Sequence, residues 1–287
     1  EDEYVTNVNL EVEDFEYVGE NTRTSYTSAI LGNGLYSFMW TNGDQIGVLP
    51  VKDGEKNLNT AMVPYRVGEV TDAIGHNATF DGGGWQLKNG ITYSAIYPYD
   101  YTFNESHNLS EEWFYVNFTG QKQIGNSLSH LAKYDYMAAS PATSKNGNLN
   151  FNFKHLAAFC EFDVHVTEQA TLTAMYVRLK KNDGKYEGIK VDGSLYGYKT
   201  DNPAISQEYT FPQNYLKIEL EDVTTDDKLN VKIFAMMPPE MFLSDADIEL
   251  TLVDSNNNVY VGTSSKEKIN GAGKFFRFNV TTSGHEQ

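Results

Sequence analysis

The sequence predicts an all-β protein, read as antiparallel throughout, and three observations carry that reading. Apolar and polar residues alternate at period two through many short segments, as strands with one buried and one wet face require. Turn signals such as Asn42-Gly43-Asp44, Asn89-Gly90, Asp183-Gly184 and Asp192-Gly193 separate those segments. Tyrosine and phenylalanine, both strand formers, number 19 and 16.

The elements follow in order. Residues 5–12 open the series, with Val8, Leu10 and Val12 on one face and Asn9, Glu11 and Glu13 on the other. A turn signal at Asn33-Gly34 and another at residues 42–44 precede a strand over residues 46–49, and Trp40 is placed to plug the end of a sandwich. Tyr93, Ala95 and Tyr97 alternate with Ser94 and Ile96, and Pro98 ends that strand because it has no N–H for a ladder. Ile124, Leu128 and Leu131 have a weak helical spacing, enough for one or two turns. The polar residues 140–148, which contain Pro141 and Gly147, are the best linker candidate. They divide the chain into residues 1–148 and 149–287, each large enough for a β-sandwich, and the two are expected to meet through a modest interface. Across residues 151–166 the apolar face flips. Phe151, Phe153 and His155 share one parity, and Leu156, Ala158, Cys160, Phe162, Val164 and Val166 share the other. A β-bulge or a strand crossing between sheets produces such a flip. Leu229, Val231, Ile233 and Ala235 form a later row that Pro238 and Pro239 end, and rows on Ile248, Leu250 and Leu252 and on Phe276, Phe278 and Val280 complete the pattern.

Composition narrows the function. The 287 residues carry 22 basic and 39 acidic side chains, a net charge of −17. That balance argues against a nucleic-acid partner, which needs basic patches. Hydrophobic content of 40% and charged content of 21% support a folded core. No run approaches the ~20 apolar residues of a membrane-spanning helix. The sequence starts at Glu1 without Met or a targeting-type apolar run, and is expected to be a mature or trimmed chain. Its single cysteine, Cys160, excludes an internal disulfide and a Cys-rich zinc site.

No catalytic or metal constellation can be assembled. His76, His107, His130, His155, His165 and His285 have no metal-ligand spacing. His155 is expected to be buried and hydrogen-bonded. Cys160 shares an apolar row and lies five residues from His155 and His165, on the opposite face of a strand, so it reads as a core residue. Asp81-Gly82-Gly83-Gly84 lacks the Lys and Ser/Thr of a phosphate loop and reads as a hairpin turn. Residues 254–258, DSNNN, are oxygen-rich but lack the downstream bidentate carboxylate of a calcium loop, which favours a tight turn. Glu111, Glu112 and Asp100 gather no weight as glycosidase carboxylates among 39 acidic residues. Trp85, Trp113, Tyr97, Tyr99 and Tyr101 cluster in one half, either to stack on sugar rings or to fill a core. Asn77, Asn104, Asn108, Asn117 and Asn279 begin Asn-x-Ser/Thr triplets that matter only in a eukaryotic secretory host. No catalytic residue, cofactor or metal ion is expected.

Six short blocks, in order, resemble the fimbrillin-like (Mfa-like) proteins of Bacteroides-group anaerobes. They are residues 22–24 (TRT), 40–48 (WTNGDQIGV), 93–99 (YSAIYPY), 136–140 (YMAAS), 153–157 (FKHLA) and 235–239 (AMMPP). The first five cover the N-terminal half, and the match beyond them is looser. The resemblance implies two transthyretin-like antiparallel β-sandwich domains in tandem, and export as a lipoprotein to the outer membrane. It also implies service as a pilin or adhesin subunit of a fimbrium, with other pilin subunits and a host or bacterial surface ligand as partners. The lipid-bearing cysteine of such proteins is not in this chain, so a membrane contact would run only through an anchor outside it. In polymerising members an arginine-specific protease cuts after the first strand, and a donor segment from another subunit replaces it. Here Arg23 is the processing candidate, the only basic residue before Lys52, and Val8, Leu10 and Val12 mark the displaceable strand. The competing reading is a surface glycan-binding lipoprotein, favoured by the aromatic cluster. An enzyme is a distant third.

Overall fold

A computed structural model describes residues 3–18, 38–52, 61–73, 75–100 and 113–284. The chain changes sheet often. Strand β1 (Asn7–Val12) lies in a first sheet, and β2 (Glu16–Val18) already belongs to a second. The chain returns to the first sheet for β3 (Gln45–Pro50), β4 (Val63–Val70), β5 (Asn77–Asp81) and β6 (Thr92–Tyr97). Strand β7 (Trp113–Asn117) enters a small sheet and β8 (Gln121–Ile124) the edge of a larger one. A 3-10 turn over Ser129–Tyr134 leads back through β9 (Met137–Thr143) and β10 (Asn148–His155). The next strands are β11 (Ala158–His165), β12 (Thr171–Lys180), β13 (Tyr186–Glu187), β14 (Asp192–Tyr196) and β15 (Ala204–Ser206). They are followed by β16 (Leu216–Thr224), β17 (Asn230–Met237), a 3-10 turn over Pro239–Leu243, β18 (Asp247–Asp254), β19 (Val259–Ser264) and β20 (Lys274–Thr281). The protein is all-β, and the weak helical spacing near Ile124 becomes the end of β8 and the first of these short turns.

Seven strands close into a barrel in the order β1-β10-β9-β6-β3-β4-β5. Period-two alternation does not distinguish a closed barrel from two facing sheets, because the inward rows read alike. The sheet β17-β11-β20-β2 faces the sheet β19-β18-β12-β16-β8, which β13 extends from β12. Between them Ala158, Cys160, Phe162 and Val164 pack in one core with Met175, Val177, Ile218 and Leu250. Cys160 is fully buried there and burial pushes its thiol well up, so it is an inert core group. A small sheet, β15-β14-β7, completes the fold.

Two expectations need correction. Not all pairing is antiparallel: β1 with β10, β2 with β20, β8 with β16 and β11 with β20 are parallel. Alternation carries no strand direction, and parallel neighbours need only a long enough connection. The stretch 140–148 is also not an interdomain connection. It forms the end of β9 and a turn in which Lys145 and Asn148 exchange backbone hydrogen bonds, with Asn146 and Gly147 in the left-handed region. Both flanking strands are in the barrel, and the chain crosses to the next sheet after His155, at Leu156 and Ala157. The parity flip across 151–166 is this crossing.

The contact between barrel and second sheet is a core in its own right. Leu49, Ile96 and Ala138 of the barrel join Phe159, Phe234, Met236 and Phe275 of the second sheet in one buried cluster. Strand β17 records the change along its length: Asn230 and Lys232 are exposed, whereas Phe234 and Met236, in the same row, are buried. On β11 that row continues to Glu161, whose side chain is 0% exposed. Lys232 Nζ lies 2.5 Å and Arg277 Nη2 3.2 Å from its carboxylate. Burial alone would raise the Glu161 carboxyl, but these two partners hold it below the ordinary glutamate range. Replacing Glu161 with Ala leaves the partly buried Arg277 without this counter-charge, while the half-exposed Lys232 can rehydrate. Glu161→Ala should therefore cost roughly 1–3 kcal/mol in urea unfolding, and a change below about 0.5 kcal/mol would contradict this role.

Candidate functional site

Strand β1 is inserted between two distant parts of the chain. It pairs in parallel with β10, Val8 opposite Leu149, Leu10 opposite Phe151 and Val12 opposite Phe153. On its other edge it pairs antiparallel with β5, Val8 opposite Phe80 and Leu10 opposite Ala78. In this closed order β10 and β5 meet only through β1. Val8, Leu10 and Val12 are 2–3% exposed and sit in the barrel core with Trp40, Phe80, Phe151 and Phe153. The predicted apolar face is therefore the buried face.

The outer face of β1 is a polar ladder. Asn7 Nδ2 donates to Asn148 Oδ1 at 3.2 Å and Asn9 Nδ2 to Asn150 Oδ1 at 3.0 Å. Asn152 Nδ2 reaches Glu13 Oε1 at 3.1 Å. In-register parallel pairing places like residues side by side, so each amide can donate to the next. Before the strand, the Val5 N–H donates to the Leu87 carbonyl and the Thr6 N–H to that of Gly147. After it, the Phe15 ring stacks on His155 with centroids 3.7 Å apart. His155 is buried as expected, and its Nδ1 lies 2.7 Å from Asp135 Oδ1. Trp40 is a core plug, but of a barrel and not of a sandwich end: its Nε1 donates to the His76 carbonyl, and its ring meets Phe38, Phe80, Tyr97 and Phe153 edge-on.

Arg23, the processing candidate, lies outside the described residues, as do Tyr101, Glu111, Glu112, His107, His285, Asn104 and Asn108. The predicted aromatic cluster is not one site. Tyr97 is in the barrel core, Tyr99 packs against the joint core, and Trp85 is 50% exposed beyond the turn after β5. Among the described members only the partly buried Trp113, at the start of β7, stands beside exposed aromatic residues, Tyr115 and Tyr196, which sequence proximity does not connect. The Asp81 turn is confirmed, with the Gly83 N–H donating to Asp81 Oδ1, but it is not a hairpin: β5 pairs with β1 and β4, and β6 with β3 and β9. Among the described residues no three His, Cys, Asp or Glu side chains are grouped to hold a metal ion.

A family model described as fimbrillin-like matches residues 22–287. The chain belongs to the fimbrillin-like family. Strands β1 and β2 precede the matched span. A solved structure from Bacteroides uniformis, described as a candidate cell adhesion protein, has a TM-score of 0.57 at 16% identity and covers 98% of this chain and 96% of its own. One from Bacteroides ovatus, described likewise, has a TM-score of 0.56 at 17% identity over 99% and 96%. A third, from Bacteroides fragilis, reaches 0.51 at 11% identity over 96% and 92%. At these identities the likeness is one of fold. The comparison with curated proteins gave no match.

In this fimbrillin-like chain the oxygen-rich segment 254–258 is a hydrogen-bonded turn. Asp254, 3% exposed, accepts from the N–H groups of Asn256 and Asn258 at 2.8 Å, from Asn258 Nδ2 at 2.9 Å and from the Tyr260 hydroxyl at 3.1 Å. Burial acts to raise the Asp254 carboxyl, but these donors outweigh it and hold the group below the ordinary aspartate range. A depressed carboxyl stabilises the fold above its unfolded value of about 3.9, and that stability is lost as pH falls through the folded value. Asp254→Asn should cost about 1–3 kcal/mol at neutral pH, with the gap from wild type closing below about pH 4. Urea titrations across pH 3–7 check this, and a gap independent of pH would refute it.

Proposed function

We propose that this chain is a pilin- or adhesin-type subunit of a cell-surface fimbrium that assembles by exchange of its first strand. The observation that carries the reading is β1, a strand with no covalent tie to either neighbour and with a three-residue apolar row at period two. Membership of the fimbrillin-like family supports the fimbrial role. The fold shared with the Bacteroides structures described as candidate adhesion proteins supports it as well. Other subunits of the same appendage are the proposed partners, with a host or bacterial surface ligand in an adhesive role. Any lipid anchor to the outer membrane lies outside this sequence.

A cut after Arg23 would free more than β1. Residues 3–18 run from the barrel through Phe15 to β2, which pairs with β20 at the edge of the second sheet, so the released piece bridges both. Burying Val8, Leu10 and Val12 contributes roughly 1.5–3 kcal/mol each. Their sum, about 5–9 kcal/mol, is comparable with a domain's whole stability of about 5–15 kcal/mol. The emptied groove would present two unpaired strand edges and an apolar floor. A donor with apolar residues at alternate positions would satisfy both, which is strand addition used to drive assembly.

The test pairs proteolysis with a lock. Trypsin applied to folded protein should cut after Arg23, and the cut chain should release its first strand and form oligomers or capture an added strand peptide. Asn9 and Asn150 face one another across neighbouring strands with their amides in contact, at a spacing that suits a disulfide. The oxidised Asn9→Cys/Asn150→Cys variant should be cut at the same rate but stay monomeric until reduced. Resistance at Arg23, or a cut chain that keeps its strand and ignores the peptide, removes the proposal.

A further inference from the structure

The small sheet β15-β14-β7 has two unlike faces. Its inner face gives Phe114, Val116, Leu195 and Ile205 to the joint core. Period two then turns Trp113 and Tyr115 of β7 and Tyr196 of β14 to the other side. Tyr196 is the register partner of Trp113. The segment after β15 adds Tyr209 and Phe211, which are 88% and 85% exposed. Together these residues line an open cleft of about 820 Å³.

The cleft is not simply apolar. Asp192, Ser194, Ser206, Glu208 and Gln213 line it among the rings, and none of its described lining residues is basic. The Tyr115 hydroxyl donates to Asp192 Oδ2 at 2.8 Å. Burial and that carboxylate push Tyr115 up to about 12, so it remains a neutral donor. Asp192 Oδ1 is buried and has no hydrogen-bond partner. An unsatisfied buried acceptor costs free energy.

These features select a ligand chemistry. A purely apolar ligand would leave the exposed Glu208 carboxylate without a donor, and a polyanion would meet two negative charges with no compensating cation among the described lining residues. The volume lies in the small-ligand range of about 300–1,000 Å³. A sugar ring has an apolar C–H face for an aromatic side chain and a rim of hydroxyl donors for carboxylates. We propose that this cleft binds a neutral oligosaccharide, with its rings stacked on the exposed aromatic side chains and its hydroxyls donated to Asp192 and Glu208. The small sheet contains no part of β1 or β2, so the cleft is complete in the uncleaved chain.

The experiment uses the intact, uncleaved chain, so failure of strand exchange cannot affect it. Maltohexaose, cellohexaose, xylohexaose and mannohexaose are titrated in turn, read by tryptophan fluorescence and by saturation-transfer NMR. Trp113 lies in the cleft as the reporter, whereas Trp40 is buried in the barrel. At least one of the four should bind saturably. The Tyr209→Ala/Phe211→Ala variant, which changes only side chains at least 85% exposed, should weaken it by about tenfold or more. Trp85→Ala, outside the cleft, should leave binding unchanged, and an oligogalacturonate of the same length should bind at least tenfold more weakly. Absence of saturable binding by all four, equal affinity of wild type and the double variant, or acidic oligomer bound as tightly as neutral, overturns the proposal.

Discussion

Closure of the barrel depends on one strand that belongs to neither of its neighbours in sequence. Every other link around the barrel joins two strands from residues 45–155, but β10 and β5 meet only through β1. Both backbone edges of β1 are therefore engaged, one in parallel and one antiparallel, and its apolar row supplies part of the floor on which Trp40 and Phe153 rest. An unsatisfied row of N–H and C=O groups is costly when buried and adhesive when exposed. The fold thus concentrates both its closure and its vulnerability in residues 7–12. The Asn ladder on the outer face fixes register, because a one-residue slip would turn Val8, Leu10 and Val12 outward and bury the asparagines.

The second constraint is the joint core. The second sheet is covered on both sides near Phe159, Phe234 and Phe275 but on one side near Asp163, Lys232 and Asn279. Glu161 sits at that boundary, and its paired cations mark the place where an apolar row gives way to a charged one. The 3-10 turn over Ser129–Tyr134 contributes Leu131 and Tyr134 to the same cluster. Residues 113–124 leave the N-terminal half to pair with β14 and β16, so strands are traded in both directions across the joint. Displacing β1 and β2 would disturb both sides of this joint, because Phe15 stacks on His155 and packs in its core.

Local sequence carried the strands well and their partners poorly. The rows on Val8, Phe153, Cys160 and Leu250 face cores because alternation is a property of the backbone itself. The turn at Asp254 was legible because it is decided within a few residues, its donors being Asn256, Asn258 and Tyr260. The parallel pairings and the crossing at Leu156 were not, since the parallel partners lie 97–258 positions apart in sequence. The polar stretch 140–148 misled because a hairpin turn and a linker share the same residue types. Phe234 lies outside the apolar row of Leu229, Val231, Ile233 and Ala235, and only the barrel lying over it makes it core. Of the candidate site, the apolar face of β1 was legible, whereas its insertion between β5 and β10 was not.

The aromatic residues show why composition alone could not locate a binding surface. Trp40 and Tyr97 fill the barrel, Phe159 and Phe275 stack in the joint, and Phe242 lies flat on Phe276 in the second core. Those rings repay their size through burial. Tyr209 and Phe211 do not, being almost wholly in water, and an exposed aromatic patch invites unwanted association. A net charge of −17 opposes such association by mutual repulsion, so the patch can persist on a soluble surface. Rigid rings with two side-chain torsions lose little entropy when a ligand covers them. The side of the small sheet that faces the protein spends its apolar residues on the joint, and the side that faces water keeps Tyr115 and Tyr196 exposed. The sheet is thereby held firmly from beneath by Phe114 and Leu195 while its outer surface is left for contact with something else.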